Sequence, residues 1–395
     1  MGKLKYQRIP VILSDLGKND KLDYCVLPVM KRYKSLLDNN YNLQEDVRGM
    51  MLYNLYIDKI ISAGGWGVVV RGYDILDKKY YAVKLMRPQL ARKDFISEVE
   101  AFNRLSRYPN CDESIVCMYT GGNYSKPKET DPKYLEAFYT DEKTKYNKFK
   151  SLEKRYKYIT MELMTLDLYD FFENMVTYQG ENWAEKYPEI LLKVFKSLLE
   201  GISVIHAAGL AHSDLKPENV LVKLLDSEDP CEFYRNPDVS RLLVKIGDLG
   251  LVCAGRNNLS ISRCIVRATP AYASPEVNMS LDSSNSLEGG QKLDIWSLGL
   301  ILGWMIYYKE IHDLLYANEN FHYAIKEDEE EKGIETIYRE YEERYYEFMG
   351  GLPGFNSKYE DLNFDIVIMF NRMLALNPKK RDPVDDLIAM LPPLL

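Results

Sequence analysis

Hydrophobic positions follow two regimes along the chain. Tyr56–Ile61, Val68–Tyr73 and Lys79–Leu85 are short runs rich in β-branched and aromatic residues, and they predict three successive strands. A glycine cluster (Gly64, Gly65, Gly67) separates the first two and predicts a tight turn. From Ala91 to Ser106 the spacing becomes helical, with Phe95, Val99, Phe102 and Leu105 on one face. Tyr158–Leu163 predicts a further, buried strand, and beyond it the pattern is mainly helical, clearest over Leu168–Met175 and Ile190–Ala207. The most apolar stretch is Ile295–Tyr308. As a helix its 14 residues would span about 21 Å, short of the ~30 Å hydrocarbon layer, so it predicts a core helix and no membrane span.

Other segments interrupt this pattern. Residues 1–56 read as an N-terminal extension, 120–157 as a Lys- and Tyr-rich surface insertion, and about 225–240 and 310–360 as further insertions. The run Glu327–Glu331 reads as a solvated acidic surface. Tyr338, Tyr341, Tyr345 and Phe348 keep helical spacing and predict core packing. A strand-rich front and a helical back result, with no internal repeat.

Charge removes some functions. Lys and Arg number 51 against 59 Asp and Glu, a net charge of −8, so the basic face that non-specific nucleic-acid binding needs is not expected. Six scattered cysteines form no CxxC pairs and predict neither a disulfide framework nor a zinc site. The start of the chain carries no long apolar run of the signal-peptide kind. A reducing compartment, the cytoplasm or the nucleus, is the expectation.

Four places carry chemistry. Ser62-Ala63-Gly64-Gly65-Trp66-Gly67-Val68-Val69 lies between two strands; its backbone can approach phosphate oxygens and offer N–H donors, and alone such a loop is more often a simple turn. Lys84 sits in an apolar strand and needs a partner, for which Glu98 in the next helix is available; an edge-strand lysine in water is the plain alternative. In His212-Ser213-Asp214-Leu215-Lys216-Pro217-Glu218-Asn219, a loop between helix and strand, Asp214 can accept a hydroxyl proton. Lys216 can neutralise phosphoryl charge there, and Asn219 can ligate a metal. Asp248, in Gly247-Asp248-Leu249-Gly250, stands at a strand end and can hold Mg²⁺ together with Asn219.

In this order the motifs resemble those of eukaryotic-type protein kinases, serine/threonine branch, over about 57–392. The resemblance implies an α+β, bilobal fold: a small antiparallel sheet lobe with one key helix over 57–164, and a larger mainly helical lobe over 165–392. It implies ATP and Mg²⁺, or Mn²⁺ in its place, and protein substrates bearing Ser or Thr. Ser62 to Val69 would cover the phosphates. Lys84 would contact the α- and β-phosphates and pair with Glu98. Met161 would back the adenine pocket, with Glu162 to Met164 as hinge and Ile61, Val69, Ala82 and Leu221 around the base, while Asp167 would reach the ribose. Asp214 would be the catalytic base, Lys216 the γ-phosphate contact, and Asn219 and Asp248 the metal ligands. Ala268 to Glu276 resembles the end of an activation segment, with Glu276 paired to Arg381. Asp294 would bond to catalytic-loop backbone, and His212 would be a packed core histidine.

The chain departs from that pattern at three positions. Ser62 replaces the first loop glycine, Leu249 the usual Phe, and Ser213 the arginine that pairs with a phosphorylated activation segment. Activation largely independent of phosphorylation in Leu251–Ala273 is therefore expected. Ser62 and Ser213 also support an alternative, a pseudokinase scaffold; a small-molecule phosphotransferase of related fold is a third reading. The complete set Lys84, Glu98, Asp214, Lys216, Asn219 and Asp248 favours the active protein kinase.

Overall fold

The computed structural model describes residues 51–391, apart from 53, 65–66, 75, 87–91, 110, 122–156, 226–229, 255–267, 280–285, 328–332 and 353–359. The N-terminal extension up to residue 50, Gly65, Trp66, the body of the 120–157 insertion and most of the acidic run thus lie outside the described residues. The chain divides into two compact units.

The first unit is built on a six-stranded antiparallel sheet in the order β1-β2-β3-β4-β6-β5. Its strands are β1 (Met51–Leu52), β2 (Leu55–Gly64), β3 (Gly67–Asp74), β4 (Lys79–Met86), β5 (Met118–Gly121) and β6 (Lys157–Met161). Alternation explains the register: Leu55, Ile57, Val68, Val70, Val83 and Leu85 pack as one buried cluster on one face. Each such side chain taken from water contributes about 1.5–3 kcal/mol. A one-residue slip would turn the whole set outward. Gly67 is required by close approach, since a Cβ there would stand 2.2 Å from the Leu85 carbonyl oxygen. β1 and β5 were not predicted, being too short to show a period.

Helices dominate the second unit. They are α1 (Arg92–Leu105), α2 (Cys111–Ser114), α3 (Leu168–Gln179), α4 (Trp183–Lys186), α5 (Pro188–Ala207), α6 (Pro230–Arg235), α7 (Pro275–Asn278), α8 (Leu287–Ile306), α9 (Ile311–Glu327), α10 (Ile334–Gly351), α11 (Glu360–Met373) and α12 (Val384–Met390). The division between units runs through α1, after Phe95. The stretch Ile96–Val116 is fastened to the helical unit: Tyr108 donates to the Ala207 carbonyl at 3.0 Å, and Val116 N–H to that of Ile246 at 2.9 Å. Two small sheets complete the unit, β10-β9-β7 and β11-β8. Their strands are β7 (Leu166–Asp167), β8 (Leu210–Ala211), β9 (Val220–Leu224), β10 (Leu242–Ile246) and β11 (Cys253–Ala254).

The apolar run from Ile295 falls within α8, which is buried from Leu293 to Met305 and capped by Ser286, whose hydroxyl accepts from Gly289 N–H at 2.9 Å. No helix among the described residues is long and apolar enough to cross a membrane. At Gly303 of α8 a Cβ would lie 2.7 Å from Phe370 Cε2 and 2.8 Å from Ile311 Cδ1. Gly303→Ala should therefore destabilise by about 1–3 kcal/mol despite alanine's better helix propensity. Urea unfolding measures the loss, and an unchanged or raised midpoint would show that α8 and α11 are less tightly packed.

Cys231 and Cys253 are each disulfide-bonded, whereas Cys111 and Cys117 are half-buried and form no disulfide. Pairing between scattered cysteines depends on tertiary proximity, which spacing does not encode.

Candidate active site

In the first unit, strand pairing aligns the residues expected at the nucleotide. Ser62 pairs with Val69, Val69 with Lys84, and Ala82 with Met161. Directly opposed residues share a face, and so do residues two apart on one strand. Val69, Ala82, Lys84 and Met161 therefore share the face opposite the apolar cluster. Ile61 has no partner in the register, because pairing jumps from Ile60–Val70 to Ser62–Val69. It is the extra residue of a β-bulge, a device that re-aims a side chain. Gly64 and Gly67 close the strand pair around Gly65 and Trp66. Lys84, Met161 and Met164 are buried. Glu162 N–H donates to the Cys117 carbonyl at 2.9 Å.

In the second unit, Glu98 on α1 is 2% exposed, and neither it nor Lys84 lacks a partner. Asp167 caps α3, its carboxylate accepting from Asp170 N–H at 2.8 Å, so it has a structural task whatever else it contacts. Leu221 lies on β9, paired with Asp167 and Lys245.

The loop between β8 and β9 holds the densest polar network. One Asp214 carboxylate oxygen, Oδ1, accepts from the Thr269 amide at 2.9 Å and from the Thr269 hydroxyl at 2.7 Å. Lys216 Nζ donates to the same hydroxyl at 2.9 Å and stands 3.6 Å from Asp214 Oδ2. Asn219 Nδ2 donates to the Asp214 carbonyl at 2.6 Å and to Oδ2 at 3.2 Å. Carboxylate, ammonium and hydroxyl thus form a closed triangle. Thr269 lies far along the chain, and only the fold brings it here.

Asn219 and Asp248 are joined through backbone. Gly247 N–H donates to the Asn219 carbonyl at 2.8 Å, which sets Asp248 one residue beyond that link. Asp248 adopts a left-handed conformation (φ 51°), and its Oδ1 accepts from Gly250 N–H at 3.4 Å. Because Asn219 turns its amide nitrogen to Asp214, its side-chain carbonyl faces away from that contact. A side-chain amide oxygen and a carboxylate on two tied loops are hard oxygen donors, and they fit Mg²⁺.

A buried carboxylate supports the loop from behind. Asp294 on α8 is fully buried and accepts from the His212 amide at 2.8 Å, the Ser213 amide at 2.8 Å and His206 Nε2 at 2.9 Å. Such a charge is tolerable only when hydrogen-bonded on several sides. His206 gave no signal in the sequence; its place near the end of an amphipathic helix, shortly before the catalytic motif, was the available hint. His212 is fully buried, with Nε2 3.0 Å from the Gly247 carbonyl oxygen and Nδ1 accepting from Asp214 N–H at 3.3 Å. Ser213 is buried at φ 69°, its hydroxyl 3.4 Å from Cys253 Sγ, so an uncharged side chain occupies the position before the base.

Nearby, Glu276 and Arg381 form the expected pair, at 2.6 and 2.9 Å through two guanidinium nitrogens. Burial, with the Glu218 carboxylate adding to it, holds the Tyr272 phenol well above its ordinary value and therefore neutral.

The family profile described as the protein kinase domain matches residues 55–390, and the chain belongs to that family. It is 29% identical over 248 residues to the interferon-induced, double-stranded RNA-activated protein kinase of Rattus norvegicus, covering 62% of this chain and 40% of that protein. It is 27% identical over 262 residues to the serine/threonine-protein kinase ksp1 of Schizosaccharomyces pombe, covering 64% and 47%. Against the serine/threonine-protein kinase chk-2 of Caenorhabditis elegans the identity is 26% over 254 residues, covering 61% and 40%. The chain spans less than half the length of these relatives.

Proposed function

We propose that the protein transfers the γ-phosphoryl group of ATP to Ser and Thr hydroxyls of protein substrates. The observation that carries this reading is the Asp214–Thr269–Lys216 triangle, in which a threonine hydroxyl is already held between a carboxylate and an ammonium. A substrate hydroxyl seated likewise would give its proton to Asp214, while Lys216 neutralises charge that develops on the oxygens in transfer. Asn219 and Asp248 would hold Mg²⁺, which would supply charge neutralisation for the nucleotide phosphates when bound. Asn219 also fixes the base through Nδ2, so one side chain serves both tasks. Lys84 would serve the α- and β-phosphates. The support for this division of labour is the hydrogen-bonded network that joins Asp214, Lys216 and Asn219, and the backbone link from Asn219 to Gly247.

The scaffold alternative would leave this polar network without chemistry to perform. Purified protein incubated with labelled ATP, Mg²⁺ and a generic protein substrate should incorporate label, and phosphoamino-acid analysis should find phosphoserine and phosphothreonine. Phosphotyrosine alone would refute the assignment, and no incorporation above background would favour the scaffold.

A further inference from the structure

Away from the catalytic loop, the second unit contains an open cleft of about 510 Å³ between α7, α10 and the turn after α11. Tyr338, Tyr345 and Tyr346 of α10 line it, with Met279 and Leu376 supplying apolar wall. Two carboxylates, Glu276 and Glu342, also face it. Glu276 is committed to Arg381 by two hydrogen bonds. No ion pair engages Glu342 among the described residues, so its charge is available to a visitor. Burial raises the Tyr338 phenol above its ordinary value; the Glu342 carboxylate pushes in the same direction and the Arg381 guanidinium against it. The cleft thus sets one carboxylate, Glu342, among three tyrosine rings. Lys380, at its exposed rim, is the one opposing charge among the described residues of the wall.

Chemistry of this kind selects a cation on a hydrocarbon stem. Ring faces attract an ammonium or guanidinium, the carboxylate supplies a counter-charge, and apolar wall accepts the methylenes. The same neighbourhood already uses that arrangement: the Arg381 guanidinium lies 4.9 Å from the Trp296 ring centroid, and Trp296 stacks on Tyr345 at 6.1 Å. Tyr345 is further fixed by its hydroxyl donating to the Leu374 carbonyl at 2.5 Å, so one wall is rigid. Tyr346 is 60% exposed and meets Tyr345 edge-on at 5.3 Å, forming the solvent-side wall.

We propose that this cleft is a docking site for an arginine-bearing segment of a protein partner, with Glu342 as the charge partner and Tyr338, Tyr345 and Tyr346 as the aromatic walls. Its residues are separate from those proposed for phosphoryl transfer, so docking and catalysis succeed or fail independently.

The test uses the full chain and a fluorescein-labelled pentapeptide, Ala-Leu-Arg-Leu-Ala with blocked ends, read by fluorescence anisotropy. Wild-type protein should bind it, and Glu342→Gln and Tyr346→Ala should each weaken binding by about tenfold. A norleucine peptide in place of arginine should bind wild type as weakly as the arginine peptide binds Glu342→Gln. Glu342 is only half-buried and Tyr346 is exposed, so both variants should keep the wild-type melting point and the wild-type rate of label transfer. The proposal is overturned by absence of wild-type binding, by equal affinity in Glu342→Gln, or by norleucine binding as well as arginine. Glu342-dependent self-association without peptide binding would also overturn it, identifying a second copy as the occupant.

Discussion

Asp214→Asn is expected to lower the rate of phosphoryl transfer by about 10²- to 10⁴-fold, the usual worth of a positioned general base. Asparagine keeps an oxygen that can accept from the Thr269 amide and hydroxyl, so the loop retains its main anchor. What is lost is the group that takes the proton and the charge beside Lys216, 3.6 Å away. The loss should therefore fall on kcat, with little change in KM for ATP, because the substituted group acts on the hydroxyl being phosphorylated. Initial rates with labelled ATP measure it. Equal rates in Asp214→Asn and wild type would remove Asp214 from the mechanism and return the protein to the scaffold reading.

The largest effect on stability is expected at Arg381. Its side chain is about 1% exposed and donates to Glu276 at 2.6 and 2.9 Å, to the Ala375 carbonyl at 2.8 Å and to the Lys292 carbonyl at 3.1 Å. Arg381→Ala strands a buried carboxylate and its backbone carbonyl partners at once, and should cost about 3–5 kcal/mol. A surface pair provides the control: Arg372 and Asp382 meet at 2.8 Å, but the arginine side chain is 52% exposed. Arg372→Ala should cost less than about 1 kcal/mol. Urea unfolding of the two variants measures the contrast. Similar losses at both positions would mean that burial does not amplify the Glu276 pair.

Much of this was legible in the sequence, for identifiable reasons. β2, β3 and β4 were readable because Ile57, Val68, Val70, Val83 and Leu85 keep a two-residue period on the packed face. Asp214, Lys216 and Asn219 were readable because they stand together in a short motif. Two-residue strands such as β8 and β11 were not, since so short an element has no period to detect. His206 escaped notice because its importance comes from Asp294, remote in the chain, which lends it a buried acceptor at 2.9 Å. The bulge at Ile61 is likewise a property of pairing, invisible in one strand alone. Cys231 and Cys253 illustrate the same limit, since bridging requires proximity that only folding creates.

Asp294 ties the two amides ahead of Asp214 to α8, which is buried throughout Leu293 to Met305. The loop that carries Asp214 is thereby mounted on a fully packed segment, which is expected to open late. Thermal inactivation is therefore expected to be abrupt, with activity and the apolar centre lost together.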